Sequence, residues 1–563
     1  MNLLGKATDK EFWKEVREKD CYKKFRDELF DMWEKHVENG PILALRYSDY
    51  KRYWGKEGNT NIYKGAYFTR RFALNASAFL SLIYPEEEKY LVRLMDQIYA
   101  ICDEYSWCLP EHQGKLEQND NKRVDIFAAE TGFALAEIYT MLGDRLEPLI
   151  KNRIIAEIDR RIVDPITSVD NYGWWENGTN NWTAVCMGSI ACTVMLMRPE
   201  LVEGMIPRFD RAMKSYLSGF TDDGICFEGC GYWAYGFGFF TVYADMIRTF
   251  TNGKLDYFRQ PKVKAVATFM QKMYLSGKTT VSYSDGPRAC GYHIGIFHYL
   301  KNEYPNDMIV YKPEYSYNTD NCARFCLHLR SAIWLNEEYY CNPASDGVCV
   351  EYYTPSAEWF LKRTESYGFA AKGGNNDAPH NHNDVGTFIF AKNGDQMVMD
   401  LGAGEYSRQY FSPERYIYLE TDSRGHNVPI IDGKVQFEGS DARARDTKFE
   451  DGVFSTDIAG AYKVEGLESV KRSFTFTEDT VTLTDEFVYS GEGEICERLV
   501  SYHEMEIPRA GLLKIKDATV VYDPEKYELV LETEGCIGRP KLFAKYATFR
   551  LKKGVTVFTV TIC

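Results

Sequence analysis

Two of the nine histidines in this chain stand one residue apart, in His380-Asn381-His382-Asn383-Asp384. An imidazole can take or give a proton near neutral pH, and it is also the commonest metal ligand. Two imidazoles and a carboxylate within five residues are therefore a candidate base, a candidate cation site, or both. The run that follows, Gly386-Thr387-Phe388-Ile389-Phe390-Ala391, reads as a strand, and Asn393-Gly394 marks a hairpin turn. If that strand starts early, His380, His382 and Asp384 share one face, because side chains alternate along a strand.

Other stretches carry residues of the same kind. Trp174-Trp175-Glu176-Asn177-Gly178-Thr179-Asn180-Asn181-Trp182 precedes a helix. Asn and Thr there are ordinary capping and turn chemistry. Three Trp and three Asn in nine residues also suit the rim of a sugar site, and an amide can hydrogen-bond a carboxylate without adding charge. A glycine-rich loop, Asp222-Asp223-Gly224-Ile225-Cys226-Phe227-Glu228-Gly229-Cys230-Gly231, opens into an aromatic helix that can present Tyr232 or Tyr235 to a cleft. Core packing is the plain alternative for either tyrosine. Asp222 or Asp223 with Glu228 could instead be the paired carboxylates of a glycoside hydrolase. His112, in Trp107-Cys108-Leu109-Pro110-Glu111-His112, is a lone loop histidine. Downstream, Asp400 and His426 join His382 as a two-His, one-carboxylate set that favours zinc.

These residues need elements to hold them. Apolar spacing predicts helices over 10–37, 85–105, 124–142, 145–162, 181–197, 202–218, 232–251 and 258–275. Short turns join them, so neighbours run antiparallel as αα-hairpins. After about residue 340 the pattern changes to alternating strands, among them 348–353, 358–363, 386–391, 396–400, 473–477, 480–488, 527–533, 541–551 and 555–562. Helices first and strands second mean segregated domains, 1–340 α-helical and 341–563 antiparallel β, in an α+β multidomain chain.

The bulk numbers narrow the function. With 563 residues the chain has room for two or three domains. A formal charge of −15 argues against general nucleic-acid binding and against a long polyanion gripped along a broad patch. A short acidic ligand held by local cations such as Arg71, Arg408, Arg415 or Arg424 remains compatible with it. The aromatic share of 15%, with 40 Tyr and 10 Trp, points mildly to carbohydrate and is equally explained by core filling. Fifteen cysteines without a C-x-x-C pair, a start without the apolar core of a signal peptide, and no apolar run long enough to span a bilayer predict a reduced, cytoplasmic protein with no membrane partner. Assembly into a homo-oligomer is left open.

Taken in order, Asn180-Asn181-Trp182, Glu228-Gly229-x-x-Tyr232, His380-x-His382-x-Asp384 and Gly425-His426-Asn427 resemble the heparinase II/III family of polysaccharide lyases. The resemblance spans about 100 to 440, and the His-x-His-x-Asp block is its most specific part. It implies an incomplete (α/α) toroid followed by an antiparallel β-sandwich. It also implies β-elimination at a uronic acid, leaving an unsaturated uronate at the new non-reducing end. By carry-over, Asn181, helped by Asn180, would neutralise the uronate carboxylate. Tyr232 would protonate the departing glycosidic oxygen, and His380 would be the base or support it. Trp182, His112, Tyr235 and Glu228 would line the substrate site. His382, Asp400 and His426 match positions that bind a structural zinc in some members, and no organic cofactor is implied. Many relatives have His directly after the Asn of the first motif. Trp182 stands there in this chain, which puts more weight on Tyr232 and His380 or brings in His112. An acidic oligosaccharide is the expected substrate. A hydrolase using Asp222 or Asp223 with Glu228, and a non-catalytic glycan-binding protein, are the alternatives.

Overall fold

Helices fill one part of the computed structural model and antiparallel strands the other. It describes residues 2–38, 40–55, 58, 60–113, 123–291, 293–311, 322–344, 348–378, 380–407, 409–539 and 541–563. The chain divides into a helical unit, Met1–Phe220 with Ala234–Ala267 and Gly291–Pro343, and a sheet unit, Thr221–Trp233 with Thr268–Cys290 and Ala344–Cys563. Tyr232 and Glu228 thus belong to the sheet unit although they lie far upstream of its main body, and Tyr235 belongs to the helical unit.

In the helical unit, Ile126–Leu142 and Asn181–Met197 are buried on nearly every side. Their starts are set by side-chain caps. Asp125 accepts from the Ala128 N–H at 2.7 Å, and Asn180 accepts from the Trp182 N–H at 3.1 Å. An ion pair between Arg330 and Glu137, both buried, sits in the core of this unit. Its longer helices Asn61–Ile83, Ile294–Glu303 and Phe325–Ile333, and the short Tyr47–Lys51 and Glu337–Cys341, are additional to those the apolar spacing predicts. The C-terminal half of the first, from Ala73 to Ile83, is buried almost all round, so it has no polar stripe to give it a period. The helix expected over 258–275 is shorter. It breaks into Pro261–Ala267 and Phe269–Met273, then gives way to a hairpin of Tyr274–Ser276 with Thr279–Thr280. Gly277, at φ +53°, supplies the turn and the β-branched threonines the strand. Among the described residues no helix is long and apolar enough to cross a membrane.

The sheet unit contains an eight-stranded, a five-stranded and a four-stranded antiparallel sheet. The five-stranded one runs Val350–Thr354, Trp359–Arg363, Gly368–Lys372, Phe388–Lys392, Asp395–Val398. Its last pair is the expected hairpin, with Lys392 opposite Asp395 and both Asn393 and Gly394 at positive φ. Phe360, Phe369 and Phe388 from this sheet, Phe454, Phe474 and Phe558 from the eight-stranded sheet, and Leu499 and Phe549 from the four-stranded one form a single core.

Candidate functional site

The strand after the histidine motif begins only at Phe388, so residues 380–387 are loop and the expected one-face alternation does not exist. What gathers the side chains is Asp285. His380 adopts φ +56°, a left-handed turn that histidine tolerates better than most residues. His380 Nδ1 then lies 2.6 Å from Asp285 Oδ2, and His382 Nε2 lies 3.2 Å from Asp285 Oδ1. Two tyrosines complete the ring of donors: Tyr406 donates to Oδ2 at 3.1 Å and Tyr410 to Oδ1 at 2.5 Å. Burial alone would raise the Asp285 carboxyl. The hydrogen bonds from His380 and His382 outweigh it and hold the group well below the usual carboxylate range.

An ionised Asp285 accepts only, so His380 carries a proton on Nδ1. Glu228 Oε1 lies 3.5 Å from the other ring nitrogen, Nε2. The Tyr232 ring stacks on His380 with centroids 4.8 Å apart and planes at 28°, and its hydroxyl lies 3.2 Å from the Tyr406 hydroxyl. Glycine makes the approach feasible. At Gly229, φ +88°, an added Cβ would stand 3.1 Å from Gly286 Cα, so the loop carrying Glu228, which leads into the helix Cys230–Phe250 with Tyr232 in its first turn, packs directly on the turn carrying Asp285. An imidazole and a phenol are thus set side by side.

A second cluster joins this one through His382. Ligand atoms of His382, Asp384, Asp400 and His426 all lie within 4.8 Å of one another, and all four residues are buried. Asp384 is new to the set expected from the sequence. His426 Nε2 donates to the Glu420 carbonyl at 3.0 Å and Nδ1 faces Asp400 Oδ2 at 3.1 Å; burial pulls the imidazole down, but the Asp400 carboxylate outweighs it and raises it, and an ion binding at Nδ1 would displace that proton. His382 likewise donates through Nε2, and its Nδ1 is buried with no hydrogen-bond partner among the described residues, as is Asp384 Oδ2. The Lys372 ammonium lies 2.6 Å from Asp384 Oδ1. Imidazoles that donate one N–H outward and aim the other nitrogen at carboxylates fit a zinc ion.

In the helical unit, the other predicted residues fall into two groups. His112 Nδ1 lies 2.7 Å from Asp125, its ring lies parallel to Phe127, and it meets Trp182 edge-on at 4.7 Å. Trp182 in turn packs against Trp174, which is 58% exposed, so these rings form an open aromatic surface. Tyr235 donates to Glu130 and lies under the Arg324 guanidinium, 3.6 Å from its ring centre. Asn180 spends its side-chain oxygen on the helix cap, which is the capping reading of that motif. Asn181 is 5% exposed, and its amide makes no hydrogen bond to a described residue. Asn180→Ala should therefore cost about 1 kcal/mol of stability through the lost cap, which a thermal melt of the variant checks.

Other expectations find plainer roles. Asp223 accepts from the Thr221 hydroxyl within its own turn, while Asp222 is exposed. Arg71 is buried in a two-toothed pair with Glu104, so it is not available as a local cation for a ligand. Arg424 pairs with Asp422, and Arg415 lies over the rings of Tyr410 and Tyr416. Arg408 lies outside the described residues. Asp285, Tyr406 and Tyr410 were not candidates in the sequence. Ser284-Asp285-Gly286-Pro287 reads as a turn, and nothing in its spacing ties it to a histidine 95 residues away.

No sequence-family profile matches the chain, and no curated protein does. Solved structures do. A heparinase III with methylated lysines aligns over 96% of this chain and 83% of its own, with 13% identity and a TM-score of 0.61. A mutant of the heparan sulfate lyase HepC from Pedobacter heparinus aligns over 100% and 87%, with 13% identity and a TM-score of 0.60. The chondroitin AC lyase of Streptomyces coelicolor, in complex with chondroitin sulphate, aligns over 98% and 82%, with 9% identity and a TM-score of 0.56. The fold is that of these polysaccharide lyases. This lyase fold agrees with the resemblance carried by the sequence motifs, and with a helical N-terminal part followed by a sheet-rich C-terminal part.

Proposed function

We propose that this chain is a lyase that cleaves uronic-acid-containing oligo- or polysaccharides by β-elimination. The observation that carries the reading is the pairing of His380 and Tyr232, stacked at 4.8 Å with the histidine proton tied to Asp285. On this reading the helical unit is the incomplete (α/α) toroid and the sheet unit the antiparallel β-sandwich that the sequence resemblance implies.

The chemistry follows from what elimination needs. The proton at C5 of a uronate is weakly acidic because the adjacent carboxylate is already negative, so that carboxylate must be neutralised as charge builds. We assign this to Asn181, whose amide no described residue engages. His380 Nε2 takes the C5 proton, and Asp285 opposite its Nδ1 favours the imidazolium that forms. The electrons close the C4–C5 double bond and expel the glycosidic oxygen, which receives the Tyr232 proton. Uronate oligosaccharides, ultraviolet detection of the unsaturated product, and its loss in Tyr232→Phe and His380→Ala are the test. Reducing-sugar release without ultraviolet absorbance would replace the reading with hydrolysis.

The same reading takes His382, Asp384, Asp400 and His426 as the holders of a structural zinc. When bound, the ion would neutralise the two carboxylates and fix the loop between His380 and Gly386. Purified protein is expected to carry about one zinc per chain, to lose it in His426→Ala, and to melt several degrees lower after chelation. Elemental analysis and thermal melts read this without substrate. Protein with no metal, and a melt indifferent to chelator, would rule it out.

A further inference from the structure

We infer that Tyr406 is a positioning residue for Tyr232: it fixes the direction of the Tyr232 hydroxyl and stabilises the phenolate formed when that hydroxyl gives up its proton. The inference rests on the proposed elimination for its catalytic meaning, although the hydrogen-bond chain that carries it is a property of the sheet unit alone.

Four donors converge on Asp285, two at each oxygen: His380 and Tyr406 at Oδ2, Tyr410 and His382 at Oδ1. A carboxylate offers about four lone-pair positions, so this one is filled. Because Asp285 can only accept, the single Tyr406 proton points at Oδ2. The Tyr406 oxygen then faces Tyr232 with lone pairs, and at 3.2 Å the Tyr232 hydroxyl is the donor of that pair. The chain therefore runs in one direction, Tyr232 to Tyr406 to Asp285, with His380 entering at the same carboxylate oxygen. Burial, then the neighbouring Tyr232 and Asp285, push the Tyr406 hydroxyl up, so it holds its proton and works as a donor rather than a base. Tyr410 makes the same kind of bond to Asp285 at the other oxygen, and its hydroxyl accepts from the Gly404 N–H at 3.3 Å.

The consequence appears when Tyr232 acts. Its proton goes to the departing glycosidic oxygen, and the C4–O bond breaks. The Tyr232 oxygen is left negative beside Tyr406, whose hydroxyl turns from Asp285 and donates to it. The proton collected from C5 by His380 Nε2 then returns to Tyr232, and Tyr406 turns back. No proton or electron is gained or lost by the protein over the cycle. Tyr406 does not need to touch the reacting sugar to do this; it acts through Tyr232.

The test compares Tyr406→Phe with Tyr410→Phe. Each variant removes one hydroxyl from Asp285, but only the first removes the hydroxyl that faces Tyr232. On a substrate turned over by the unaltered enzyme, Tyr406→Phe should lower kcat 10- to 100-fold with KM within about two-fold. A second readout needs no substrate. With 3-fluorotyrosine at position 232, the fluorine resonance is titrated in both variants. The groups around it are His380, Glu228 and Tyr406, with Asp285 and Tyr410 behind. Tyr406→Phe should raise the midpoint by about one pH unit because the phenolate loses a donor, and Tyr410→Phe should move it much less. Equal effects of the two variants, or no movement in Tyr406→Phe, would overturn the assignment. Absence of turnover by the unaltered enzyme would fault the elimination reading instead, and the fluorine titration would still decide the hydrogen-bond chain.

Discussion

Asp285→Asn is expected to reduce turnover on the order of a thousand-fold while leaving the circular dichroism unchanged. The amide has the carboxylate's shape but one accepting oxygen instead of two, and no charge. Four donors address the native group, so two of them must now face an NH2. If the nitrogen replaces Oδ2, His380 must move its proton from Nδ1 to Nε2, and the nitrogen that should take the C5 proton is already occupied. If it replaces Oδ1, His382 and Tyr410 lose their acceptor. In both arrangements the negative charge that would favour the imidazolium is gone. Steady-state kinetics on any substrate of the unaltered enzyme reads the effect. A loss under ten-fold would mean that Asp285 is only a structural acceptor.

Arg472→Met should destabilise the sheet unit by about 3–5 kcal/mol. Arg472 is fully buried, with its Nη2 2.5 Å from Asp485 and 3.0 Å from Glu497. Burial, then the Asp485 charge, already push the Glu497 carboxyl well above its usual range, and Arg472 is what opposes that shift. Removing the guanidinium leaves two carboxylates confined together without a cation. It also removes the Nη1 donor to the Gly386 carbonyl at 2.8 Å and to the Asn427 carbonyl at 2.6 Å. Those carbonyls follow the two segments that carry His380, His382 and Asp384, and His426, so the site should loosen with the fold. Urea unfolding followed by tryptophan fluorescence measures the loss. Replacing Arg472, Asp485 and Glu497 together by apolar residues should cost less than Arg472→Met alone, because no charge is then stranded.

How far these sites could be read in advance depended on how local their determinants are. Asn393-Gly394 specified its hairpin because a two-residue turn with both φ positive is written in two adjacent residues. The Asn181–Met197 helix was equally plain, with its start marked by Asn180. The Asn61–Ile83 helix was not, because burial on all sides erases the polar stripe that periodicity relies on. The histidine motif is legible by residue type but its geometry is not, because the strand signal of 386–391 carries no mark of the turn that the chain makes at His380. Asp285 was invisible for a different reason. Its partners are 95, 97, 121 and 125 residues away, and a turn aspartate next to glycine and proline has an ordinary local explanation. The fourth member of the zinc-type cluster, Asp384, was seen as part of the motif. Only the folded loop shows it reaching the ligand atoms of Asp400 and His426.

Elimination by a His380–Tyr232 pair is read by the ultraviolet absorbance of a conjugated unsaturated uronate during digestion of uronate oligosaccharides. A rising signal is expected with the unaltered enzyme and none with Tyr232→Phe or His380→Ala, each still folded. A rising signal that survives either substitution would contradict the pair, and new reducing ends without absorbance would contradict elimination itself.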